Sequence, residues 1–262
     1  MQLELFDLVH GAARATVAPA RGGIVTGLAV DGRSILHMDA ATLADPTKNV
    51  RGGIPVLFPF AGRLPGDVFA RAGTRMKQHG FGRNLAWRVT AREADALSMA
   101  LGDDDTTRAV FPWSFRADAS VRAVARGVRI ELATTNLGTT PMPLSPGWHP
   151  YFVCPPAAKD AVASDLPGLA AGALDDLREH DFGLPAPADG MVDVALPDLG
   201  ALRLSFAPSM RHVQVWTLPG SAFVCIEPFW GPAGTIDGDA CQWVEPGATA
   251  AVWMRIELLA AG

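Results

Sequence analysis

The sequence is poor in cysteine, in cationic clusters and in long apolar runs, and each shortage narrows what the chain can be. Its cysteines, Cys154, Cys225 and Cys241, are an odd number with no C-x-x-C spacing. They predict neither a disulfide framework nor a zinc signature, and they read as reduced thiols of a cytoplasmic protein. No apolar run approaches the ~20 residues of a transmembrane helix. The start, MQLELFDLVHG, is charged and alternating, unlike a secretory leader. A net charge of −5 argues against nucleic acid as a partner, because phosphate backbones call for clustered cations. The nucleophile elbow G-x-S-x-G is missing, as are the P-loop, H-E-x-x-H and G-x-G-x-x-G. With them go the standard acyl-hydrolase, nucleotide, zincin and dinucleotide sites. No metal and no cofactor is expected.

Turn residues and alternation are what the chain has in plenty. Gly 27 and Pro 21 in 262 residues, within a composition 49% apolar, point to many short strands rather than disorder. Phe115, Ala117, Ala119 and Val121 alternate with Arg116, Asp118, Ser120 and Arg122. After a turn at Ala125–Gly127, Val128, Ile130 and Leu132 alternate with Arg129 and Glu131, which predicts an antiparallel hairpin with one buried face. Leu202–Phe206 and Val252–Leu258 repeat the pattern, and Val213–Leu218 and Phe223–Ile226 are separated by Pro219-Gly220. The fold class is therefore all-β, a large antiparallel β-sandwich in one domain over residues 1–262. Ala170–Arg178 is expected to form a short helix, and Pro155–Asp189 a long loop excursion.

Three segments carry titratable groups in unusual settings. His79 stands in Gln78-His79-Gly80-Phe81-Gly82-Arg83, His149 in Gly147-Trp148-His149-Pro150-Tyr151-Phe152, and Glu227 in Cys225-Ile226-Glu227-Pro228-Phe229-Trp230. Taken singly, each has a plain structural reading: a histidine bonding a nearby carbonyl, a loop anchor, a glutamate paired with an arginine. Arg63 is one more arginine in an arginine-rich chain, and Trp148 suits a core. Together, one carboxylate and two imidazoles among glycines, prolines and aromatics fit a sugar site. Sugar C–H faces stack on rings, and sugar hydroxyls need donors and acceptors. His10, His37, His180 and His212 sit in ordinary polar or alternating contexts and read as structural or solvent-facing. Asp103-Asp104-Asp105 reads as a solvated hairpin tip.

These segments, with Arg51-Gly-Gly-Ile-Pro-Val-Leu-Phe-Pro59 leading to Gly62-Arg63-Leu64, resemble the aldose 1-epimerase (galactose mutarotase) family, its shorter bacterial branch in particular. The resemblance implies the galactose mutarotase-like supersandwich and interconversion of the α and β anomers of a hexose by ring opening and reclosure. It implies Glu227 as general base, His149 as general acid and His79 as the second active-site histidine. It further implies Arg63, Trp148 and an aspartate in substrate binding, with Asp193 and Asp181 the candidates for the last. A protonated His149 beside Glu227 is expected to have its pKa raised by that negative charge. The partner is then a monosaccharide. A related branch acts on hexose 6-phosphates, for which Arg51, Lys77 and Arg83 offer cations. A carbohydrate-binding sandwich without catalysis is the reading from outside enzymology. The chain is expected to be a monomer or homodimer, with no membrane partner.

Overall fold

Alternation builds the structure. The computed structural model describes residues 3–260. Its two long central strands, Phe115–Val124 and Gly127–Asn136, pair in the antiparallel register Phe115↔Asn136 to Val124↔Gly127. They lie in the middle of an eight-stranded antiparallel sheet whose C-terminal strand, Thr249–Leu258, runs beside Gly127–Asn136. A second sheet has six strands: His180–Pro185, His212–Thr217, Phe223–Phe229, Gly147–Trp148 and Val56–Leu57 in order, with Tyr151–Val153 also paired to Phe223–Phe229. A four-stranded sheet starts the chain, from Phe6–His10 to Arg33–Ser34.

The inward residues of both large sheets belong to one apolar cluster. Ala117, Ala119, Val121, Ile130 and Met254 enter it from the eight-stranded sheet. Val213, Val215, Val224 and Ile226 enter it from the other. The chain is thus a large antiparallel β-sandwich, as the alternation predicts. Among the described residues no helix is long and apolar enough to cross a membrane.

Period two then decides what the second sheet shows on its far face. With Val213, Val215, Val224 and Ile226 facing the core, His212, Gln214, Trp216, Cys225, Glu227 and Phe229 must face away. Cross-strand register sets Gln214 opposite Glu227, Trp216 opposite Cys225 and Asp181 opposite Trp216. On the other side Gly147 pairs with Phe229 and Tyr151 with Cys225. His149 lies midway between Gly147 and Tyr151, which brings it level with Glu227.

Two expectations are corrected here. Ala170–Arg178 forms turns, not a helix. Its backbone is satisfied by side chains instead: Asp175 N–H donates to His180 Nε2 and Leu177 N–H to the Asp175 carboxylate, the local competition that disfavours helix. The excursion Pro155–Asp189 is not all loop, since His180–Pro185 is a strand of the second sheet. The rest of the excursion is pinned by Lys159. This lysine is wholly buried, with its ammonium on the Asp176 carboxylate and the Leu218 carbonyl.

Candidate active site

The far face of the second sheet floors a hollow of about 420 Å³. Glu227, 2% exposed, and His149, 6% exposed, are at its base. The Glu227 carboxylate is 3.4 Å from His149 Nδ1. Among the described residues the buried His149 Nδ1 has no hydrogen-bond partner. Burying such a pair is costly unless something completes its bonding. The imidazole is held by packing, stacked flat on Tyr151 with ring centroids 4.6 Å apart.

His79 arrives from a separate loop and is fixed differently. Its N–H donates to the Gly62 carbonyl, and Gly62 N–H donates back to His79 Nδ1. With Nδ1 an acceptor, the neutral ring carries its hydrogen on Nε2. The ring centroid is 5.5 Å from that of His149. This loop is strained where it turns: His79 has φ +68° and Gly80 φ +66°. A Cβ on Gly80 would fall 2.3 Å from the Phe58 carbonyl oxygen, the acceptor of the Phe81 and Gly82 amides. Gly80→Ala should therefore cost at least about 1–2 kcal/mol of stability. Its urea midpoint should fall below that of wild type, and an unchanged midpoint would refute the role given to this turn.

The electrostatics depart from the sequence-based expectation. Burial pushes the Glu227 carboxyl well above the usual carboxylate range, and Asp181 pushes it the same way, against the opposing pull of Arg83. Burial holds His149 well below the usual imidazole range, with the Arg83 and Arg51 cations adding to it. The expected rise of His149 through Glu227 is thus overridden, because desolvation and two arginines outweigh one partner that itself resists ionisation. His79 is likewise held low, by burial first and then by Arg83 and His149. At 3.4 Å the Glu227 and His149 groups are coupled, so their protons come off as steps of the pair rather than of either residue.

The walls add polar and aromatic groups. Asp181, Glu179, Gln214, Trp216, Phe229 and Tyr151 line the hollow, as do Arg51, Arg63 and Arg83. Gln214 is held from both sides: its amide nitrogen donates to Asp181 at 2.6 Å, and its carbonyl is 2.9 Å from His212 Nε2. The His212 ring fits because Gly183 faces it; a Cβ there would lie 2.0 Å from the ring. His212, which reads in sequence as structural or solvent-facing, therefore stands directly behind the site.

The structure brings together Glu227, His149, His79 and Arg63. Arg63 has a 71% exposed side chain at the rim, 3.7 Å from Asp67. Trp148 is wholly buried and faces the core, so it lies beneath the hollow and does not line it. Asp193 is placed elsewhere. It lies in Met191–Leu196 of the eight-stranded sheet, with both carboxylate oxygens taken by Arg203 at 2.7 Å. Of the two candidate aspartates, Asp181 is the one at the hollow. Lys77 is not among the lining residues, whereas Arg51 and Arg83 are. Gln214, Glu179 and Trp216 were not legible as site residues. The alternation of Val213–Leu218 marks a second face but not what that face encloses.

Comparison with known proteins places the chain in a family. Residues 4–169 match the family described as aldose 1-epimerase. The Slr1438 protein of Synechocystis is 32% identical, with 98% of this chain and 96% of that one covered and a TM-score of 0.91. A galactose mutarotase related enzyme from Lactobacillus acidophilus shares the fold at 18% identity, with 98% of each chain covered and a TM-score of 0.80. The Escherichia coli protein YphB is 25% identical over 209 residues, 71% of this chain and 67% of that one.

Proposed function

The chain belongs to the aldose 1-epimerase family, and from that premise we propose that it interconverts the α and β anomers of a free hexose. The observation that carries this reading is the buried pair Glu227–His149, 3.4 Å apart, at the floor of a sugar-sized hollow. Opening the ring requires a proton to leave the C1 hydroxyl and another to reach the ring oxygen. The pair, with one proton between its members, supplies both services. In the productive arrangement Glu227 is ionised and His149 holds the proton. Glu227 takes the C1 hydroxyl proton as the C1–O bond to the ring oxygen breaks, and His149 delivers its proton to that oxygen. Rotation about C1–C2 and the reverse transfers close the ring on the opposite face. The pair ends as it began, so proton count and charge balance over the cycle. Each transfer contributes roughly 10²–10⁴-fold. His79, neutral and protonated on Nε2, donates a hydrogen bond to the sugar oxygens. Asp181 accepts from hydroxyls, and Phe229 and Trp216 offer aromatic faces.

Polarimetry of freshly dissolved α-glucose and α-galactose tests the proposal. Accelerated approach to the equilibrium rotation supports it. Sugar binding without acceleration would instead favour a non-catalytic binding protein. The three arginines at the hollow favour a second reading, hexose 6-phosphate as substrate. A higher kcat/KM for glucose 6-phosphate than for glucose would select it. Asp181→Asn makes a separate prediction. Its negative charge raises the Glu227 pKa, so its removal should lower that value. The alkaline limb of kcat/KM, where the pair loses its last proton, should move to lower pH, and a limb that stays in place would refute the coupling.

A further inference from the structure

Cys225 is a buried thiol that the proposed reaction does not use. It lies two residues before Glu227 on the same face of Phe223–Phe229, opposite Tyr151 in the neighbouring strand. His149 packs on that same tyrosine. The three potential donor atoms, one sulfur, one imidazole nitrogen and one carboxylate oxygen, lie within 4.8 Å of one another. His149 Nδ1, the nitrogen 3.4 Å from the Glu227 carboxylate, is buried and without a hydrogen-bond partner among the described residues. The geometry points to a binding site for a thiophilic divalent cation of the zinc class, formed by Cys225, His149 and Glu227 at the base of the hollow.

Zinc takes sulfur at ~2.3 Å and nitrogen or oxygen at ~2.0–2.2 Å, so tetrahedral donors stand about 3.3–3.6 Å apart. The Glu227–His149 separation of 3.4 Å already meets this. The sulfur lies within 4.8 Å of both, so against a donor separation of about 3.6 Å it has at most about 1.2 Å to close. One soft and one borderline donor select zinc or cobalt over magnesium or calcium. Arg51 and Arg83 disfavour a lone cation in this region. A dication held by one thiolate and one carboxylate is neutral overall, however, and its cost of burial is correspondingly small. Binding releases the thiol proton, and the pair's shared proton with it, to solvent. Glu227 and His149 both line the hollow, which gives the cation its entry path. Coordination occupies the lone pairs of Glu227 and His149 that proton transfer requires, so the cation-bound protein should not exchange anomers. That inhibition rests on the epimerase reading; the binding itself does not.

The test uses the full chain freed of metal by a chelator and then titrated with cobalt(II) or zinc(II) chloride. Cobalt should give a one-to-one complex with a sulfur-to-cobalt charge-transfer band in the near ultraviolet. The band should vanish in both Cys225→Ala and Cys225→Ser, with folding checked by circular dichroism. Calorimetry should show zinc affinity at least about tenfold weaker in both variants. Zinc should slow wild-type anomer exchange reversibly, while metal-free Cys225→Ala works at the wild-type rate and resists zinc. Absence of the band, its survival in Cys225→Ala, or unchanged zinc affinity would overturn the site. A normal cobalt spectrum in a protein without anomer exchange would leave the site standing and reject the epimerase.

Discussion

Glu227→Gln should slow anomer exchange at least ~10²-fold and at the same time make the protein more stable. The amide matches the carboxylate in shape but accepts no proton from a hydroxyl, so the catalytic loss follows from chemistry rather than from misfolding. The stability gain follows from burial. Glu227 is 2% exposed and its folded-state pKa is raised well above the unfolded one. The unfolded chain therefore binds fewer protons than the native one between those two values. Stability is full below the ordinary carboxylate range and is lost as pH rises toward the raised folded value. A neutral glutamine removes that loss. The variant's thermal midpoint should exceed that of wild type, by a margin that grows with pH across this window. Wild-type turnover in the variant would reject Glu227 as the base. A thermal midpoint below wild type at every pH would reject the account of its burial.

Such a trade is what a functional residue is expected to show, and it explains which parts of the site were legible beforehand. Glu227, His149 and His79 stood out because each interrupts a glycine-, proline- or aromatic-rich stretch where a titratable group has no obvious structural partner. The hairpin Phe115–Asn136 was legible because one face is core and the other solvent, which forces strict alternation. Asp181 was harder to choose. It belongs to an edge strand, His180–Pro185, inside a segment whose alanines, prolines and glycines read as loop. The signal was present in Phe182 and Leu184, which alternate with Asp181 and Gly183, but two apolar positions are a weak pattern. Asp193 sits in the stronger alternation of Met191–Leu196, and nothing local reveals that its carboxylate is already committed to Arg203. The direction of the His149 shift was not legible at all. It depends on how far the pair is buried and on Arg51 and Arg83, which are distant in the chain and meet only in the folded hollow.

His149→Asn should also cost at least ~10²-fold in turnover, and its pH profile should separate it from the glutamate variant. In wild type the working form carries one proton on the pair. Activity should fall on the acid side as a second proton is added, and on the alkaline side as the last is lost. Because His149 is held well below the usual imidazole range, the acid limb should lie below that range. Because Glu227 is raised, the alkaline limb should lie well above the usual carboxylate range. The outcome is a broad plateau rather than a narrow bell. Asparagine cannot take the second proton. The residual activity of His149→Asn should then lack the limb assigned to the imidazole and retain only titration of Glu227. His79 does not take its place, since Nδ1 is tied to the Gly62 amide and protonation there would break that bond. An acid limb within the ordinary imidazole range in wild type would show that the two arginines and burial do not govern His149. A limb that persists unchanged in His149→Asn would assign the acid to another group. Loss of the limb together with the rate would leave the buried Glu227–His149 pair as the one proton-carrying unit that the hollow is built around.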